Sequence, residues 1–208
     1  MTASFTLFWR SCRARLGSLL LLALFPAWLG LPALAQNAAS EVTQFRIERE
    51  EDGLHLSALV HLELTPVVED ALLKGVPMFF VVEADIFRGR WYWYDQKVLS
   101  ASKSFRLAYQ PLTRRWRLNA AQGGDGFSSA ALSQHFDSLA EAMATLRRIT
   151  RWKITEGVDI PTGAGHYVNF RFRLDVSQLP RPFQIGAVGQ ADWSLAVSAT
   201  QRLPAESP

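Results

Sequence analysis

The chain has 208 residues, with 22 Lys plus Arg against 19 Asp plus Glu and a single cysteine. Its apparent pI of 9.3 is carried by the first 35 residues, where Arg10, Arg13 and Arg15 stand with no acidic partner, so the rest is balanced in charge. That balance excludes the basic footprint nucleic-acid binding needs, and the placing of Cys12 in the same segment excludes disulfides and thiolate sites downstream.

Those 35 residues have the order of a secretory signal peptide: a positive start, an uncharged apolar run from Leu16 to Leu31, then Ala33-Leu34-Ala35. Cleavage is expected after Ala35, which places the mature protein in the periplasm; retention would leave an N-terminal anchor. No later apolar run is long enough to span a bilayer. The remaining residues, roughly 170, suffice for one domain over 42–202 with a core of its own. A short tether over 36–41 precedes it and a disordered tail over 203–208 follows.

From Thr43 the pattern alternates, with Phe45 and Ile47 facing one way and Gln44, Arg46 and Glu48 the other. Glu50-Glu51-Asp52-Gly53 reads as a charged hairpin turn. Leu54, Leu56, Ala58, Val60, Leu62 and Leu64 then occupy every second position, the clearest strand in the chain. Thr65 and Pro66 open a short helix that Gly75 ends. Val76 to Val82 is apolar on both faces, as in a central strand covered on each side, and alternation resumes at Glu83 and Asp85 towards a turn at Gly89. Further strands are expected at 91–100, 103–110 and 114–119, with Pro111 and Thr113 in a turn and a glycine-rich loop at 123–126.

Ser138 and Glu141 form a capping box ahead of the stripe Leu139, Ala142, Met143, Leu146 and Ile149, which predicts a second helix. Strands follow near 150–155 and at Val168, Phe170, Phe172 and Leu174. Pro180 and Pro182 interrupt the chain, and Trp193, Leu195 and Val197 read as the last strand. The sum is a mainly β chain: a single antiparallel, sandwich-like domain of about eight or nine strands with two short helices.

Chemistry is scarce. His55, His61, His135 and His166 show no metal-ligand spacing; His55 and His61 lie roughly 20 Å apart at strand rise. Neither a metal nor a cofactor is expected. No G-x-S-x-G elbow occurs, and Ser128 lacks its strand-to-helix setting. Glu83 and Asp85 share a strand face about 7 Å apart, compatible with two-carboxylate hydrolase or lyase chemistry. Ordinary ion pairing with Arg88 and Arg90 is the competing account.

The segment that stands out is Arg88-Gly89-Arg90-Trp91-Tyr92-Trp93-Tyr94-Asp95. On a strand, Trp91 and Trp93 would face one way, Tyr92 and Tyr94 the other, one pair going to the core. The second pair, beside Arg90, would then anchor a protein partner or stack on a glycan or lipid. The competing account packs both pairs under arginine stems. Arg115 and Arg117 form a smaller basic strip, with Trp116 and Leu118 turned inward.

Several segments together resemble the domain-of-unknown-function family number 4390. They are Leu73-Lys74-Gly75-Val76-Pro77-Met78-Phe79-Phe80, Arg90-Trp91-Tyr92-Trp93-Tyr94-Asp95, Leu107-Ala108-Tyr109 with Leu112-Thr113-Arg114, and Phe136-Asp137-Ser138-Leu139. Leu174-Asp175, Ser177-Gln178-Leu179-Pro180-Arg181-Pro182-Phe183-Gln184 and Asp192-Trp193 complete the set. The resemblance implies an exported protein of Gram-negative-type bacteria with no assigned catalytic residue. It also implies a membrane sensor kinase of the nitrogen-regulation type as partner. The expectation is therefore a non-enzymatic interaction module whose contact residues are Arg90, Trp91, Tyr92, Trp93 and Tyr94.

Overall fold

The period-two pattern of Leu54 to Val60 becomes β2 (Gly53–His61), where Leu54, Leu56, Ala58 and Val60 are all buried. A computed structural model describes residues 40–92, 94–123, 132–155, 165–187 and 189–203. The expected signal peptide, most of the tether, Trp93, the glycine loop from Gly124 and the end of the tail lie outside them. β1 (Glu41–Glu50) pairs antiparallel with β2 through the charged turn, Glu50 opposite Gly53. Gly53 sits at φ 144, and a Cβ there would come within 2.3 Å of the Thr155 carbonyl oxygen, so the turn requires glycine.

Thr65 caps α1 (Pro66–Leu73), accepting from the Val68 N–H at 3.4 Å, and its hydroxyl donates to the Asp192 carbonyl at 2.7 Å. The cap thus also ties the helix to a distant turn. β3 (Met78–Arg88) pairs along its whole length with β4 (Gln96–Gln110), from Met78 opposite Leu107 to Arg88 opposite Gln96, and β5 (Arg115–Gln122) continues the antiparallel ladder. β6 (Leu132–Phe136) adds an edge that no alternation announced. Ser138 caps α2 (Leu139–Arg147), accepting from the Glu141 N–H at 3.2 Å. Ile149, expected on that helix, is instead buried in β7 (Arg148–Lys153).

The last third holds β8 (His166–Leu174), α3 (Arg181–Ala187) and β9 (Ala196–Arg202). The interruption expected at Pro180 and Pro182 is a helix instead: a proline in the first turn has no N–H to waste and a preset φ. Trp193 lies in a short 3-10 turn ahead of β9 and is buried there. Leu203 is tied by its N–H to the His166 carbonyl at 3.0 Å.

Two antiparallel sheets result, a three-stranded one ordered β1-β2-β7 and a six-stranded one ordered β6-β5-β4-β3-β8-β9. The expected mainly β, sandwich-like class is correct, with nine strands and three helices among the described residues. One apolar cluster joins both sheets, α1 and α2, with Phe80, Phe170, Phe172, Leu56, Leu72 and Leu146 fully buried. Phe45 of β1 meets Phe170 of β8 with ring centroids 5.6 Å apart, fixing one point of sheet-to-sheet contact. β3 is central, as its apolar run predicts. Its outer face is roofed differently: the Arg106 guanidinium lies 5.7 Å over the Phe79 ring. Among the described residues no helix is long and apolar enough to cross a membrane.

Candidate functional site

The aromatic run does not form a strand. β3 ends at Arg88, β4 begins at Gln96, and the strands expected at 91–100 and 103–110 are one strand over 96–110. The chain has left the ladder before alternation can send either pair to the core. Trp91 is 93% exposed, Tyr92 67% and Tyr94 87%; Trp93 lies outside the described residues. The packed-aromatic account therefore fails for these three, and so does the division into an inner and an outer pair.

What the sequence did not announce is how firmly the base of this turn is held. The Gly89 N–H donates to the Gly165 carbonyl at 2.8 Å, across the gap between β3 and β8. A Cβ at Gly89 would come within 3.2 Å of that oxygen. Asp95 takes the Tyr167 hydroxyl on one carboxylate oxygen at 2.6 Å and the Arg90 N–H on the other at 3.1 Å. The Tyr167 hydroxyl, followed by the Arg90 N–H, holds the Asp95 carboxyl below its ordinary value, and Asp95 in turn raises the Tyr167 phenol. Tyr167 stacks on Phe87 at 5.4 Å between centroids, and the Arg90 guanidinium donates to the Gln96 side chain. A bulge at Val98, where Ile86 faces Leu99 but Phe87 faces Lys97, adds twist just below the turn. Aromatic side chains therefore project from an anchored base.

Trp91 and Tyr92 meet edge to face, centroids 5.0 Å apart and planes at 68°. They present a ridge rather than a flat shelf. Arg88 and Arg90 are exposed beside them.

The other candidates resolve differently. Glu83 pairs with Arg173 at 3.0 Å, and Asp85 with Lys97 at 2.8 Å and the Ser100 hydroxyl at 2.5 Å. The ion pairing expected for them is present, but its cations come from β8 and β4, the strands flanking β3, and not from Arg88 or Arg90. Trp116 and Leu118 face inward as expected, leaving Arg115 and Arg117 exposed.

One histidine meets two carboxylates. The hairpin brings Glu50 and Asp52 to His55, with ligand atoms mutually within 4.8 Å, a set readable in hindsight from E-x-D-x-x-H across a turn. His55 is 7% exposed and its Nδ1 has no hydrogen-bond partner. Both carboxylates already hold cations, Glu50 with Arg151 at 2.6 Å and Asp52 with Lys153 at 3.4 Å. Arg151 reaches Glu50 from a left-handed backbone, φ 43, at the bulge where β2 meets β7. The cluster acts as an ionic clasp on the hairpin.

Neither a curated protein nor a solved structure matches the chain. A family model does, over residues 37–203, which takes in every strand and helix described above. The chain belongs to the family described as Domain of unknown function (DUF4390).

Proposed function

We propose that the chain is an exported, non-enzymatic interaction module that grips a protein partner through the turn between β3 and β4. The observation that carries this is the exposure of Trp91, Tyr92 and Tyr94 together on a base fixed by Asp95 and Tyr167. Large aromatics lose little rotamer freedom on binding, and a fixed base lowers the ordering cost further. Arginines at the rim supply the charged, hydrogen-bonding margin that aromatic hot spots carry. The partner we name is the extracytoplasmic part of a membrane sensor kinase. With it go a cleaved signal peptide and a periplasmic location.

The glycan or lipid reading uses the same side chains. A sugar platform needs ring faces presented to the ligand. The edge-to-face packing of Trp91 on Tyr92 supports a protein anchor over that platform. For the hydrolase or lyase reading, the ion pairs of Glu83 and Asp85 supply a structural account of both carboxylates.

The test is photo-crosslinking in living cells from a probe at Tyr92, followed by identification of the adduct. One membrane-protein adduct, lost when Trp91 is replaced by Ala in the same probe-bearing protein, is the expected result. Capture of purified cell wall or lipid without any protein adduct would overturn the protein reading in favour of the alternative.

A further inference from the structure

A second surface lies on the outer face of the six-stranded sheet, at the far half of β4. Arg106, Ala108 and Gln110 of β4 face Asn119, Arg117 and Arg115 of β5 in register. Five of these six, all but Arg115, line a hollow of about 250 Å³. Its floor is Ala108, whose small side chain leaves a gap between two arginines set diagonally on neighbouring strands.

The charges there are unbalanced. Arg115, just outside the hollow, pairs with Asp137 at 3.0 Å. Among the described residues no carboxylate lies within ion-pairing distance of Arg106 or Arg117. Like charges on diagonal strand neighbours repel, and among the described residues the pair meets only neutral groups, Arg106 the Phe79 ring face and Arg117 the Ser133 hydroxyl.

The neutral groups are arranged in the same sense. The Arg117 Nε–H donates to the Ser133 hydroxyl at 3.0 Å, and that hydroxyl donates to the Asn119 side-chain oxygen at 3.3 Å. The Thr113 hydroxyl donates to the Gln110 side-chain oxygen at 3.2 Å. With both amide oxygens engaged, Asn119 and Gln110 are left with their NH2 groups to offer the hollow. Two guanidiniums and two amides thus supply N–H donors, and among the described residues no acidic group lines the hollow.

We infer that this hollow is a binding site for an oxyanion of the phosphate class, with Arg106 and Arg117 as the charged ligands and Asn119 and Gln110 as neutral donors. Two guanidinium forks and two amides bring about six N–H donors, more than the roughly four lone-pair positions of a carboxylate and matched by the three terminal oxygens of a phosphate monoester. The site is separate from the aromatic turn. The two occupy opposite ends of β4, whose fifteen residues extend roughly 50 Å.

The experiment is a titration of the intact chain with inorganic phosphate, followed by the backbone amide resonances of Ala108, Arg117 and Asn119. Saturable shifts at these positions are expected, with affinity reduced about tenfold or more in Arg106→Gln and in Arg117→Gln. Arg115→Gln, whose guanidinium is already paired with Asp137, should bind as the parent does. All three positions are exposed, and a thermal melt of each variant confirms that it is folded. Sedimentation with phosphatidylcholine vesicles, with and without phosphatidic acid, separates the sources. Binding only to the acidic vesicles, dependent on the same two arginines, assigns the phosphate to a lipid headgroup. Phosphate shifts without vesicle binding assign it to a free monoester. Absence of saturation with phosphate and with both vesicles overturns the site, as does saturation unchanged in both arginine variants.

Discussion

The two ends of β4 are built on opposite principles. At the Gln96 end the exposed side chains are aromatic and the polar groups lie beneath them, Asp95 binding Tyr167 and Arg90. At the Gln110 end the exposed side chains are cationic and the polar groups lie beside them, Ser133 and Thr113 engaging the amides of Asn119 and Gln110. Aromatic area gains from leaving water and needs only a stable base. Guanidiniums without a carboxylate partner are weakly hydrated and gain from a matched anion, so what they need is aimed donors. The same strand ladder delivers both because its register fixes which side chains stand together.

The largest expected effect removes both ends at once. Phe170 is fully buried where the two sheets meet, and Phe170→Ala should cost about 3–5 kcal/mol. A denaturant melt measures it, and partner crosslinking and phosphate binding should fail in parallel. Next comes Tyr92→Ala, which should weaken partner binding by about 2 kcal/mol or more, roughly thirtyfold in Kd. The melting temperature and the phosphate titration should stay unchanged, because the side chain is exposed.

Asp95→Ala should have a smaller effect on partner binding than Tyr92→Ala, since it loosens the base and leaves the aromatics in place. Its signature is faster hydrogen exchange at the Arg90 amide. The same brace should be pH-dependent in both directions. The Asp95 carboxyl is lowered in the folded chain, so its contribution is complete above the ordinary 3.8 and fades as pH falls through the depressed value. The Tyr167 phenol is raised, so its contribution is complete below the ordinary 10.0 and fades as pH climbs through the elevated value. Protection of Arg90 should therefore be flat between those limits and drop outside them. The smallest effect belongs to Arg115→Gln. It breaks an exposed ion pair worth about 0.2–1 kcal/mol and should disturb neither end.

How far the sequence could be read follows the same division. β2 and β8 were legible because one face is buried and one is wet, which writes period two directly into the residues. The caps of α1 and α2 were legible because Thr65 and Ser138 satisfy amides within three residues. β6 was not, since most of its side chains stay exposed on both faces and leave no period-two pattern of apolar residues. The aromatic turn was legible as a candidate but not as a shape. Four consecutive aromatics fit a strand by propensity, while the Asp95, Tyr167 and Gly165 contacts that end β3 at Arg88 come from residues up to 76 positions away. The arginine hollow escaped for a related reason. Arg115 and Arg117 look alike along the chain, and only the position of Asp137 tells the neutralised one from the bare one.

The central claim is that the Gln96 end of β4, and not exposed apolar surface in general, is where a protein docks. Leu112, in the turn at the other end of the strand, is fully exposed and offers the matching control. Single photo-crosslinking probes at Tyr92 and at Leu112, compared in living cells, test the claim directly. One protein adduct from Tyr92 and none from Leu112 is the predicted result; equal adducts from both positions, or protein adducts from Leu112 alone, would contradict it.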